Sequence, residues 1–104
     1  MKNDAIKLFN IMYSFLDDIY QKDNSEELLV YISDANPTVC LDGKSLDPVV
    51  FEDFEKMYNN ASNDMSDYDF ILYYLSNLDS YYGDIKKYFL MIAKEDFKKA
   101  VAAN

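Results

Sequence analysis

The chain contains no histidine, tryptophan or arginine, and its 104 residues include one cysteine, two glycines and two prolines. Each absence closes a route to function. Without histidine there is no Ser-His or Cys-His nucleophile, no imidazole metal ligand and no side chain that ordinarily titrates near neutral pH. A single cysteine excludes an intrachain disulfide and a multi-cysteine zinc site. With Gly43 and Gly83 alone, no glycine-rich loop can cradle a phosphate. No run of about 18 apolar residues occurs, so no segment reads as membrane-spanning. The first twenty residues include Asp4, Asp17 and Asp18 without a basic start leading into an apolar run, which argues against a signal peptide. A lone cysteine and no such segment fit a reducing cytoplasm.

Positive charge is also scarce: ten lysines face 19 carboxylates, for a net charge of −9. DNA, RNA and anionic lipid are bound largely through cations that neutralise phosphate. The balance therefore points away from nucleic acid and membrane, and toward a protein partner, a basic one by preference. The deficit is local, since residues 1–22 sum to zero, 23–48 to −5, 49–82 to −6 and 83–104 to +2. Solvated helix faces account for any one charge run. The acidic middle can also join into one negative surface. Lys86, Lys87, Lys94, Lys98 and Lys99 crowd the last segment, where cations offset a helix dipole.

Apolar residues make up half of the chain. A chain this long buries about two-thirds of the surface it exposes when unfolded, enough for one core and not two. The apolar period is helical almost throughout. Ile6, Phe9, Tyr13, Leu16 and Tyr20 form one stripe and Leu8, Met12, Phe15 and Ile19 a second, predicting a first helix over about 4–21 with a wide apolar face. Such a face suits a central helix touched by several neighbours, or one that pairs with a second copy to make a homodimer. Asn24 and Glu27 read as a capping box for a second helix with Leu28, Leu29 and Ile32 inward, ended near Ala35 by Asn36-Pro37. Residues 36–46 form the one long connection, with Asp42-Gly43 as its turn. In it, Cys40 reads as a small apolar residue that tucks Val39 to Leu41 onto the core and leaves 42–45 exposed. Asp47-Pro48 restarts a helix carrying Val50, Phe54, Met57 and Ala61, ended by the polar 59–64. Ser66 and Asp69 open a fourth with Tyr68, Leu72 and Leu75 in a stripe flanked by Ile71 and Leu78. Gly83 separates it from a last helix over about 84–102 with Ile85, Phe89, Ile92 or Ala93, Phe97 and Val101. The expectation is one all-α domain, 1–104, of about five helices in orthogonal or bundle-like packing.

Carboxylates are the one catalytic currency left in quantity. Glu52, Asp53 and Glu55, or Asp64, Asp67 and Asp69, supply pairs at helical spacing. Acid-base work needs one carboxyl lifted toward neutral pH by burial, and the neighbours here are polar, so a metal binder or carboxylate enzyme is the third alternative. A calcium loop begun at Asp34 fails, because its twelfth position is Ser45. No cofactor is expected.

Ten tyrosines offer a stronger lead. Adjacent helical residues point about 100° apart, so Tyr73-Tyr74 and Tyr81-Tyr82 cannot all enter one core. Exposed tyrosines beside carboxylates give large contact area at little rotamer cost. Ordinary packing plus compositional drift is the competing explanation. The expected site is a non-catalytic partner-binding face made of Tyr73, Tyr74, Tyr81, Tyr82, Glu52, Asp53 and Asp69.

Two stretches carry resemblances. Ser33-Asp34-Ala35-Asn36-Pro37 followed by Ser45-Leu46-Asp47-Pro48-Val49-Val50-Phe51-Glu52-Asp53-Phe54 resembles a segment of small uncharacterised bacterial helical proteins, whose intervening loop tends to be aromatic where this one is not. It implies a helix, loop, helix layout and no activity. Asp69-Phe70-Ile71-Leu72-Tyr73-Tyr74 is similar to the Asp-Leu-Ile-Tyr-Tyr-Pro of small acidic immunity proteins that neutralise bacterial nuclease toxins. The similarity is one of composition and implies an inhibitory contact with a basic protein. One extra residue precedes the tyrosines and Leu75 replaces the proline, which predicts a continuous helix in place of that family's short turn.

Overall fold

Asp4 opens the first helix, its carboxylate accepting from the N–H groups of Ile6 and Lys7 at 2.8 and 3.3 Å. This helix, α1 (Ala5–Asp23), ends where Asn24 adopts a left-handed φ of 55° and returns its N–H to the Tyr20 carbonyl. The computed structural model describes residues 4–38 and 42–103. Five further helices follow: α2 (Glu26–Ala35), α3 (Pro48–Asn60), α4 (Asp67–Ser76), α5 (Lys86–Phe89) and α6 (Lys94–Ala103), with a 3-10 turn at Ser80–Tyr82 and no strand among the described residues. A Cα radius of gyration of 12.7 Å fits the ~13 Å of a single domain of this size.

Both apolar stripes of α1 are spent inside the chain. Leu8, Phe9, Met12 and Leu16 are fully buried, Ile6, Tyr13, Phe15, Ile19 and Tyr20 pack partly buried against them, and α1 touches α2, α3, α5 and α6. This is the central helix of the two readings its wide face allowed. Leu8, Phe9, Met12 and Leu16 leave no surface for a second copy, while the other five side chains keep part of theirs.

Asp47 caps α3 as expected, accepting from the Val49 N–H at 3.1 Å with Pro48 at the first helical position. Ser66 caps α4 in the same way through the Asp69 N–H. The cap of α2 is Ser25, not Asn24, because Asn24 is taken up in closing α1. Glu27 is thereby freed to reach across to α5, where it pairs with Lys87 at 3.0 Å and accepts from the Tyr88 hydroxyl and the Asp84 N–H. Lys87, with those hydrogen bonds, holds the Glu27 carboxyl below its ordinary pKa despite some desolvation. Leu29, expected inward, is 39% exposed.

The expected last helix is broken. Phe89 and Phe97 are both fully buried with ring centroids 5.3 Å apart, whereas eight residues of straight helix would separate them by about 12 Å along the axis. Pairing them requires the chain to fold back. It does so through tight turns in which the Met91 and Ile92 N–H groups reach the Tyr88 and Phe89 carbonyls. Leu90 and Met91 are left exposed at the corner.

In the long connection the Asp42 carboxylate receives the Lys44 N–H, and Gly43, at φ 72°, offers its carbonyl to the Asn10 amide at 2.7 Å. Ser45, expected at an exposed tip, is 4% exposed, because its hydroxyl bridges the Asp47 carbonyl and the Phe51 N–H. The anchoring role expected of Cys40 lies outside the described residues.

Gly83 sits at φ 76°, ψ −158°, a region open essentially to glycine alone, and a Cβ there would run into the Glu27 carboxylate. Gly83→Ala is expected to cost about 1–3 kcal/mol. Thermal unfolding checks it, since each kcal/mol lowers the melting temperature by roughly 4–8 °C in a domain of this size. An unchanged melting temperature would show that the turn relaxes freely.

Candidate functional site

The 3-10 turn places an open cleft beside α3. Asp79 caps the turn by accepting from the Tyr81 N–H at 2.8 Å, and Gly83 ends it. On the opposite side the chain leaves α2 and enters α3 through the Asp47 N–H, which donates to the Asp34 carbonyl at 2.9 Å. These two corners bring Asp34, Asp47, Asp53 and Asp79 to the walls of a cleft of about 640 Å³, with Lys56 as the basic lining residue. Val49, Met57 and Leu78 supply apolar surface, and Tyr74, Tyr81 and Tyr82 the aromatic surface.

The tyrosines divide by depth. Tyr81 is 72% exposed and packs edge-on against Tyr82 at 5.3 Å. Tyr82 is half-buried, donates its hydroxyl to Asp34 at 2.9 Å and sets its ring against Tyr31 at 5.3 Å. Tyr74 is 2% exposed at the cleft floor, with its hydroxyl bonded to that of the buried Tyr31 at 2.9 Å. Burial, followed by the Asp34 hydrogen bond and charge, pushes the Tyr82 phenol well above its ordinary pKa. Burial does the same to Tyr74, with Asp53 adding to it and the Tyr31 hydrogen bond opposing. Both phenols therefore stay protonated under physiological conditions, and Tyr82 donates to Asp34.

Of the seven residues expected to form the site, the structure brings Asp53, Tyr74, Tyr81 and Tyr82 to this cleft. Tyr73 is 49% exposed but lies beyond the Lys56-Met57 wall, in a separate hollow with Asn60 and Met65. Glu52 and Asp69 are exposed and line neither. The Tyr73-Tyr74 pair thus splits as helical geometry requires, one ring outward and one inward. Buried Tyr74 contributes to the shape of the floor and has little surface left for a partner.

Asp34, Asp47 and Asp79 were not expected here. Each stands at an element end, where the sequence marks it only as a capping or terminal residue. Their meeting is a product of tertiary contact between α2, α3 and the 3-10 turn. Among the described residues no three carboxylates stand close enough to hold a metal ion, and no helix is long and apolar enough to cross a membrane. The chain matches no protein-family model, no curated protein and no solved structure.

Proposed function

We propose that the protein is a cytoplasmic, non-catalytic interaction module that binds a basic protein through the cleft between α3 and the 3-10 turn. The observation that carries this reading is the union of four carboxylates with a 72% exposed tyrosine around one cleft. A large ring with a polar tip supplies contact area, and the surrounding negative field speeds encounter with a positive surface. Such binding weakens as salt rises, because the rim charges are solvent-exposed and screened. Neutralisation of a basic toxin is one concrete form of the role, though the segment resembling immunity proteins, Asp69 to Tyr74, gives this cleft only the buried Tyr74.

Affinity capture from the native cell tests it, with the wild-type chain and an Asp53→Lys, Tyr81→Ala variant as parallel baits. Both positions are exposed and Asp53 caps no helix, so the variant keeps the fold. The wild type is expected to retain a basic protein that high salt releases and that the variant fails to hold. Equal retention by both baits, or retention indifferent to salt, would remove the cleft from the interaction.

A further inference from the structure

One face of α2 holds the 3-10 turn in place. Glu27, Tyr31 and Asp34 fall at positions i, i+4 and i+7 of that helix and so lie along one side of it. Asp34 receives the Tyr82 hydroxyl at 2.9 Å, Tyr31 meets the Tyr82 ring edge-on at 5.3 Å, and Glu27 receives the Asp84 N–H at 3.4 Å. Between the two carboxylate attachments stands Gly83 at φ 76°. Lacking a Cβ, it can leave that conformation for negative φ without a steric barrier of its own.

Residues 79–84 include no buried side chain, and Tyr82 alone among them is half-buried. Their Tyr82 and Gly83 N–H groups bond within the segment, to the Asp79 and Ser80 carbonyls, and would move with it. The fixed points lie outside, at Leu78, which packs against the core, and at fully buried Ile85. Two of the three attachments end on carboxylates, and an ionised acceptor makes the stronger bond. Facing Glu27 are Lys87, Tyr88 and Asp84; facing Asp34 are Tyr82 and, along the cleft, Asp47, Asp53, Lys56 and Asp79. Lys87, 3.0 Å away, with the Asp84 and Tyr88 bonds, holds the Glu27 carboxyl below its ordinary pKa. Its grip is therefore complete above the ordinary carboxylate range and lost as pH falls through the lowered value.

We infer that residues 79–84 form a strap that opens as one unit, turning at Gly83, when Glu27 and Asp34 lose their charge. Opening lifts the Tyr82 ring off Tyr31 and uncovers the Tyr31–Tyr74 hydroxyl pair at the cleft floor. The strap is a property of the fold and stands whether or not the cleft binds a basic protein.

Amide hydrogen exchange of the full chain, read as protection factors, tests it in the wild type and in Tyr82→Phe and Glu27→Gln. Near neutral pH the Tyr82, Gly83 and Asp84 amides are expected to be protected, but less than those of α1 and α3. Each substitution should lower strap protection about three- to tenfold, the scale of one partly exposed hydrogen bond, and leave α1 and α3 unmoved. Below the ordinary carboxylate range the wild-type strap should lose protection before α1 and α3 do, and Glu27→Gln should lose less, having one latch that cannot titrate. A soluble paramagnetic probe should then broaden the Tyr31 and Tyr74 ring signals. Strap amides that match α1 and α3, or that show no protection at all, would overturn the strap. So would variants that lower protection equally everywhere. Strap protection that ignores acid would overturn the carboxylate release, and an open strap with Tyr31 and Tyr74 still shielded would overturn its cover of the floor.

Discussion

Phe54→Ala is expected to unfold the protein more readily than any other single truncation, at a cost of about 3–5 kcal/mol. Phe54 is fully buried on α3, and its ring meets those of Phe9 on α1, Phe51 and Tyr58 on its own helix, and Phe70 and Tyr74 on α4, at centroid distances of 4.9 to 6.3 Å. Its edge contacts with Phe9, Phe70 and Tyr74 add to the transfer energy of the ring, each such pair being worth about 0.5–1.5 kcal/mol. Neighbours fixed on three helices cannot collapse into the void, so the cavity persists. Against a total stability of about 5–15 kcal/mol the loss is large. Urea unfolding should show a lower midpoint at unchanged slope. Phe15→Ala is the comparison, because Phe15 is partly buried and meets a single ring, Phe97 at 5.8 Å. Equal losses for the two would show that Phe54 is not the centre of the core.

High pH is expected to unfold the chain cooperatively. Tyr31 is fully buried, and burial, followed by the proximity of Tyr74, raises its phenol well above the ordinary value of 10.0. Tyr74 and Tyr82 are raised by burial first, and Tyr58 is pushed up to about 12 by burial together with Asp67 and Asp4. Below pH 10 the folded and unfolded chains both keep these protons, and the stabilisation is fully present. Above it the unfolded chain releases protons that the folded chain retains, so stability falls until the folded phenols ionise in turn. Tyr31 and Tyr74 alone contribute a slope of about 2.7 kcal/mol per pH unit, from ~1.36 kcal/mol for each group.

Helical ellipticity and tyrosinate absorbance followed together across this range check the prediction. The Tyr31→Phe, Tyr74→Phe double variant isolates the cause. It keeps both rings and removes both partners of one hydrogen bond, a change that is close to neutral near pH 7, and it should flatten the alkaline slope by that amount. Either single variant strands a buried hydroxyl and is expected to be the less stable protein near neutral pH. An alkaline transition identical in wild type and double variant would assign it to other groups.

The local signals were the legible ones. Asp47-Pro48 and Ser66 are caps whose chemistry acts within one turn, and both start helices where the residues say they should. The break between α5 and α6 was hidden because Leu90 to Ala93 continue a helical apolar pattern and contain neither glycine nor proline. Only the burial of Phe89 beside Phe97 forces the turn. Asn24 had two local uses, closing α1 or opening α2, and nothing in the residues alone ranks them. At the cleft, exposed Tyr81 and Asp53 were readable, but Asp34 and Asp47 meet only after a connection of eleven residues has closed. Carboxylates from different element ends leave no spacing to find.

Tyr82 belongs to the core through its ring on Tyr31 and to the cleft through its hydroxyl on Asp34. Divergence at the two depths of the cleft is therefore unequal. Exposed rim positions such as Asp53 can change and leave the protein folded. A new floor requires Tyr82, Tyr31 and Tyr74 to change in concert. A lineage built on this chain could vary the charge of the rim while inheriting the shape of the floor.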